Sequence, residues 1–143
     1  MHYMTAPLSI RFDERLLARL RRRAQATPGA TASGLAQRLV DEGLRIAEHP
    51  GVVFKDGPSG RRAAVAFGPD IWEVVKFLRE IDERGPDAVA AAAEMLRLTE
   101  AQVRIAMHYY SAYPDEIDEE IAQADEESRA AEAAWDAERR LLA

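Results

Sequence analysis

The chain contains no cysteine. Disulfides and thiolate-bound metals are therefore excluded. Histidine is scarce too: His2, His49 and His108 have no metal-ligand spacing to one another or to carboxylates. His108, between Met107 and Tyr109, reads as a plain helix residue, and no serine has a histidine to activate it. The one glycine-rich stretch, Gly57-Pro58-Ser59-Gly60, lacks a following Lys-Ser or Lys-Thr, so it is a turn rather than a phosphate cradle. No apolar run approaches the length of a membrane span. Met1-His2-Tyr3-Met4-Thr5 lacks the charged-then-apolar order of a secretory signal, and a cytoplasmic protein is the expectation. These absences leave no catalytic constellation, and the expectation is a non-enzyme with no cofactor and no metal.

What is present is the material of helices: many Ala, Leu, Arg and Glu residues in a chain of 143, enough for one domain or two small ones. The net charge of −6 is unevenly spread. Residues 1–49 hold eight arginines against five acids, a net of +3. From Pro114 onward three arginines face eleven acids, a net of −8. A basic front and an acidic tail suit partners of opposite character.

The front opens on Leu8-Ser9-Ile10-Arg11-Phe12. Leu8, Ile10 and Phe12 fall on one side and Ser9 and Arg11 on the other, with Thr5 and Pro7 further out; period-two alternation predicts a half-buried strand. Asp13 offers an N-cap for a helix carrying Leu16, Leu17 and Leu20 among arginines. Thr27-Pro28-Gly29-Ala30 breaks it. Thr31 or Ser33 caps a second helix with Leu35, Leu39, Val40, Gly43 and Leu44 as its stripe. A lone strand before two helices has unsatisfied edge groups. A second copy pairing antiparallel about a two-fold axis satisfies them, and a two-stranded ribbon fits the DNA major groove. The rival is pairing with the hairpin predicted further along the chain.

Leu8-Ser9-Ile10-Arg11-Phe12-Asp13-Glu14-Arg15-Leu16-Leu17, with the segment 29–44, resembles the ribbon-helix-helix repressors of the MetJ/Arc type over roughly residues 5–46. The resemblance implies a homodimer, or an assembly of such dimers, on operator DNA. Ser9 and Arg11, with Thr5 or Pro7, would read bases, and Thr31, Ala32 and Ser33 at the second helix N-terminus would hold a phosphate. Pro7 departs from the pattern, because it has no N–H to donate.

After a break at Glu48–Gly51, Val52–Phe54 and Arg61–Phe67 read as a hairpin, with Ala63, Val65 and Phe67 on one face. Asp70 caps a helix striped by Ile71, Val74, Val75, Leu78 and Ile81. Gly85-Pro86-Asp87 stops and restarts the chain. A short helix to Leu96 turns inward Val89, Ala92, Ala93 and Leu96. Thr99 caps the next, which carries Val103, Ala106, Met107 and Tyr110. Short helix, tight turn and capped helix outline a helix-turn-helix. Its second helix offers Gln102, Arg104 and His108, but packing or dimerisation is the better-supported role. Gly60-Arg61-Arg62, Leu98-Thr99-Glu100-Ala101-Gln102-Val103-Arg104, Tyr109-Tyr110 and Pro114-Asp115-Glu116-Ile117 together resemble a small helix-turn-helix-like antitoxin domain, over roughly Arg61 to Ile121. That domain is often encoded beside PIN-like ribonuclease toxins.

Pro114 is placed to open a final helix without further proline or glycine. Ile117, Ile121, Ala124, Ser128, Ala131, Trp135 and Leu142 fall on an a/d-like seam interrupted at Glu138. The expected fold is therefore mainly α with short strands. A ribbon-helix-helix (1–48) precedes a β-hairpin and helix-turn-helix-like domain (49–113) and a long acidic helix (114–143). The two resemblances together imply an antitoxin that represses its own operon. Its tail would block a PIN-like ribonuclease through Ile117, Ile121, Trp135, Arg139, Arg140 and Leu142, with Arg139 or Arg140 entering the toxin's acidic metal site. The alternative is a stand-alone regulator whose tail only dimerises.

Overall fold

The computed structural model describes residues 6–143; Thr5 lies outside them. Among the described residues the order is α1 (Glu14–Ala26), α2 (Ala32–Glu48), β1 (Val52–Gly57), β2 (Gly60–Val65), α3 (Ile71–Glu80), α4 (Pro86–Leu96), α5 (Glu100–Ala112) and α6 (Pro114–Leu141). The chain is mainly helical, with one antiparallel hairpin and a long last helix. No helix among the described residues is long and apolar enough to cross a membrane. Two compact units emerge, Met1–Leu44 and Arg45–Ala143, so the last turn of α2 belongs to the second.

In the first unit, Asp13 caps α1 by accepting the Leu16 amide at 2.9 Å. Thr31 caps α2 in the same way, accepting from Gly34 at 3.0 Å. Between them the chain turns through Gly29 at φ +75°. Only Ala24, Leu35 and Glu42 are buried here among the described residues. The predicted strand at residues 8–12 is absent from the single chain: residues 6–13 form neither strand nor helix. The reason is the missing ladder partner. Apart from one bridge from Ala64 to Asp70 the hairpin pairs within itself, and Leu8 and Ile10 stay 82% and 57% exposed.

The second unit has a dense core. Tyr109, Ile71, Ile117, Val52, Val65, Val74 and Val103 are fully buried within it. β1 and β2 pair from Val52↔Val65 to Gly57↔Gly60, so the strands run further toward the turn than predicted, leaving Pro58-Ser59 as the two-residue loop. Gly51, at φ +99°, starts the hairpin where a Cβ would sit 2.6 Å from the Ile105 Cδ1.

Phe67 leaves the strand face predicted for it. The Gly68 amide donates to the Val65 carbonyl at 2.9 Å and closes a turn before Pro69. Phe67 occupies the third position of that turn at φ +59°, a conformation glycine takes freely and a phenylalanine takes at a cost of about 1–2 kcal/mol.

α3, α4 and α5 pack together beneath the hairpin, and the first half of α6 lies across α3 and α5. Arg97, left-handed at φ 56°, ends α4. Thr99 then starts α5 with a reciprocal capping box, its amide donating to the Gln102 Oε1 at 2.8 Å. α5 turns inward on Val103, Ala106 and Tyr109; the predicted Met107 is 39% exposed and Tyr110 half-buried. Tyr109 can be buried because its hydroxyl finds partners there. α6 starts at Pro114 as read, and Ile117 and Ile121 on its first turns belong to the same core.

Candidate functional site

In the first unit the described residues expected to meet DNA are open to solvent or half-buried. Pro7, Ser9, Arg11, Thr31 and Ser33 are exposed and Ala32 is half-buried. The Thr31 hydroxyl is engaged in its cap. The first turn of α2 carries no acid, which leaves the positive end of the helix dipole uncompensated. Along α1, Arg15, Arg19, Arg21, Arg22 and Arg23 are exposed. Arg19, Arg22 and Arg23 rim an open cleft floored by Leu16, Leu20, Ala26 and Leu39. Leu39, Val40 and Leu44 on α2 are 45–57% exposed. Much of the apolar stripe predicted for each helix therefore lies uncovered, although Leu35 is buried and Leu17 and Leu20 are half-buried.

The second unit spends the first half of its acidic helix on itself. Arg45 Nη1 donates to Glu116 at 2.9 Å and to the Tyr109 hydroxyl at 2.8 Å, and that hydroxyl donates to the other Glu116 oxygen at 2.7 Å. The Arg45 guanidinium also lies 4.0 Å from the centre of the Tyr113 ring. Burial opposes the Arg45 charge, but its bonds to Glu116 and Tyr109 outweigh that and raise its pKa. Burial, then the bond to Glu116, raises that of Tyr109. Further along, Arg79 pairs with Asp118 and Lys76 with Asp125. The hydrogen bonds from Arg79 and Tyr110 hold the Asp118 carboxyl below its ordinary range. Arg62 stands 3.9 Å from Glu120. That carboxyl is the outlier: burial, then the neighbouring Glu116 charge, pushes its pKa up to about 7 against the pull of Arg62. One Glu120 oxygen is buried without a hydrogen-bond partner.

Histidine reasoning from sequence missed one contact. His49 and His108, 59 residues apart in the chain, meet Nδ1 to Nδ1 at 3.1 Å, with His49 buried against Tyr109 and Tyr113. One imidazole must donate and the other accept, so the pair sets each other's tautomer. Only the folded topology could reveal it. Among the described residues no three His, Cys, Asp or Glu side chains form a group that could hold a metal.

The residues expected to touch a protein partner separate into two sets. Ile117 and Ile121 are 0% and 7% exposed and are consumed by the core, so they are not surface anchors. Trp135 and Leu142 are 56% and 89% exposed, and Leu141 joins them at 85%. Arg139 and Arg140 are exposed beside them, and the Arg139 guanidinium lies 4.5 Å from the centre of the Trp135 ring. From Glu126 to the end only Asp136 is even half-buried.

Of the polar residues at the start of α5, Gln102 is committed to the Thr99 cap and to the Ala66 carbonyl at 3.3 Å. Arg104 and His108 remain exposed, although His108 is bonded to His49. No family model, curated protein or solved structure matches this chain.

Proposed function

We propose that the chain is an antitoxin that binds operator DNA as a ribbon-helix-helix dimer and captures a PIN-like ribonuclease with the exposed end of α6. The observation carrying this reading is the unfinished state of the first unit. Its alternating segment 8–12 has no partner strand, and its helices leave Leu16, Leu39, Val40 and Leu44 in water. A unit of about 40 residues buries too little surface to stand alone. A second copy would pair the segment and cover the leucines at once. It would leave Ser9 and Arg11 outward on a ribbon sized for the major groove, beside the acid-free start of α2.

The acidic character of α6 supports the partner half of the reading less than the raw charge suggests. Glu116, Asp118, Glu120 and Asp125 face cations of the chain itself. What remains for a partner from Glu126 onward is still net acidic, five acids against three arginines, with an apolar and basic tip of Trp135, Leu141 and Leu142 beside Arg139 and Arg140. Trp is among the residue types that most often anchor interfaces. An isolated helical end is marginal in water and gains order on binding. The helix-turn-helix-like geometry of α4 and α5 serves packing in this reading, because Gln102 is spent in its cap.

Arg11→Ala tests the DNA half by mobility shift on the DNA upstream of the chain's own gene. Loss of a bidentate guanine contact costs about 1–3 kcal/mol, and a dimer holds two copies. Unchanged affinity would refute the ribbon. Deleting residues from Ser128 onward tests the partner half without touching the core. The truncated protein should still shift DNA and no longer neutralise the product of the adjacent reading frame. Neutralisation that survives the deletion would show that the tail is not the inhibitory element; a full-length chain that neutralises nothing would leave the alternative, a stand-alone regulator.

A further inference from the structure

His49 and His108 belong to neither the ribbon segment nor the exposed end of α6, and their Nδ1 atoms lie 3.1 Å apart. A hydrogen bond alone favours two rings set head-on, because the angle at its hydrogen is best above about 150°. The ring centres are only 4.9 Å apart, closer than head-on rings at that nitrogen separation, so the rings lean off the line joining the nitrogens. Leaning rings can direct two lone pairs to one point beside that line. The separation itself suits two nitrogens on one metal ion. With metal–nitrogen bonds of about 2.05 Å, nitrogens 3.1 Å apart subtend about 100° at the ion, between the octahedral and tetrahedral angles.

The fold holds the pair in place. His49 is buried, with its ring edge-on to Tyr109 and Tyr113 at 5.4 and 5.9 Å. Its amide donates to the Arg45 carbonyl at 2.8 Å, and its carbonyl accepts from the Val52 amide at 3.1 Å. Two residues on, Gly51 lies so close to Ile105 of α5 that a Cβ there would collide. His108 follows Ile105 one turn later on the same helix. Ligands fixed in advance lose little freedom on binding.

Both histidines line an open cleft of about 390 Å³ with Glu48, Ala101, Arg104 and Ile105. His108 is exposed, so water reaches the positions that the protein leaves free. Glu48 offsets the Arg104 charge on the cleft wall, and Arg45 is matched by Glu116 at 2.9 Å.

We propose that His49 and His108 bind a divalent ion of the copper and zinc type through both Nδ1 atoms, with water completing its shell. Neutral imidazole suits these metals. The ion replaces the proton between the rings. The donor ring shifts that proton from its Nδ1 to its Nε2, which frees the second lone pair without changing the charge of either ring. Two protein ligands make an exchangeable site, unlike the closed four-ligand sites that are structural. Once bound, the ion ties the residue after α2 to the second half of α5. The site goes beyond operator and ribonuclease binding and rests on neither.

The test is calorimetric titration of the full chain with Zn²⁺, in a His2→Ala background that leaves His49 and His108 as the only histidines. One ion per chain should bind. Nitrogen-15 spectra should show both Nδ1 resonances moving together while both Nε2 atoms stay protonated. His108→Ala, at an exposed position, should fold without zinc. It should lower the affinity by more than about tenfold, the loss incurred when even an outer partner of a ligating histidine is removed. Zinc should raise the melting temperature of the parent and leave that of His108→Ala unmoved. No binding at millimolar Zn²⁺, an affinity unchanged by His108→Ala, or an ion held through Nε2 or through carboxylates alone would each overturn the proposal. The spectra of the parent decide between these outcomes even where the variant is unstable.

Discussion

The two units solve the same problem to different degrees. Arg45–Ala143 wraps a hairpin, three helices and half of α6 around Tyr109, Ile71 and Ile117. Met1–Leu44 has helices just as well capped, yet buries only Ala24, Leu35 and Glu42 among its described residues. Good local chemistry thus accompanies both a finished core and an unfinished one. Caps and periodicity fix elements, whereas burial depends on what the elements find to lie against.

The sharpest way to test that contrast is to cut one leucine-sized side chain from each unit. Ile117→Ala should cost about 3 kcal/mol in denaturant unfolding, because it opens a cavity in a closed core. That loss should not depend on protein concentration. Leu39→Ala removes a 45%-exposed side chain, so its effect should appear as weaker self-association and a concentration-dependent melting temperature. Equal, concentration-independent losses would erase the distinction.

Arg45→Met comes next. It leaves Glu116 and the buried Tyr109 hydroxyl without their shared cation and should cost about 2 kcal/mol in the same assay. A change below a few tenths would mean that the triad does not tie α2, α5 and α6 together.

Glu120→Gln should be smaller, on the order of 1–2 kcal/mol once solvent screening of a half-buried group is allowed for, and visible as a change in pH slope. The folded pKa of Glu120, about 7, lies above its ordinary 4.5, so the folded state holds that proton more tightly. The stabilisation is fully present below about 4.5 and is lost as pH rises through 7. The variant should flatten the wild-type decline over that window; an unchanged slope would place the titration elsewhere. Smallest of all is Arg129→Ala. Its partner Glu126 is 2.8 Å away, both side chains are 71% exposed, and less than about 0.5 kcal/mol should be lost.

The sequence made legible whatever rests on neighbours along the chain. Asp13, Thr31 and Thr99 begin their helices as read, and Gly85-Pro86 divides α3 from α4. Long-range partners were not legible. The His49–His108 contact, the Arg45–Tyr109–Glu116 triad and the matching of α6 acids by Lys76, Arg79 and Arg62 all join residues far apart in sequence. For that reason the α6 charge read as an invitation to an outside partner. The strand face assigned to Phe67 failed for a different reason. Alternation looked continuous through Ala63, Val65 and Phe67, while the Gly68-Pro69 pair had already turned the chain.

Amide hydrogen exchange across residues 8–12 of the full chain tests the central claim most directly. Within one copy these amides have no strand to pair with. If two copies build the ribbon, alternate amides in this stretch should be protected nearly as well as those of the core, and dilution should release them. Exchange at the rate of an open chain, at concentrations where the protein is folded and binds its DNA, would contradict the account.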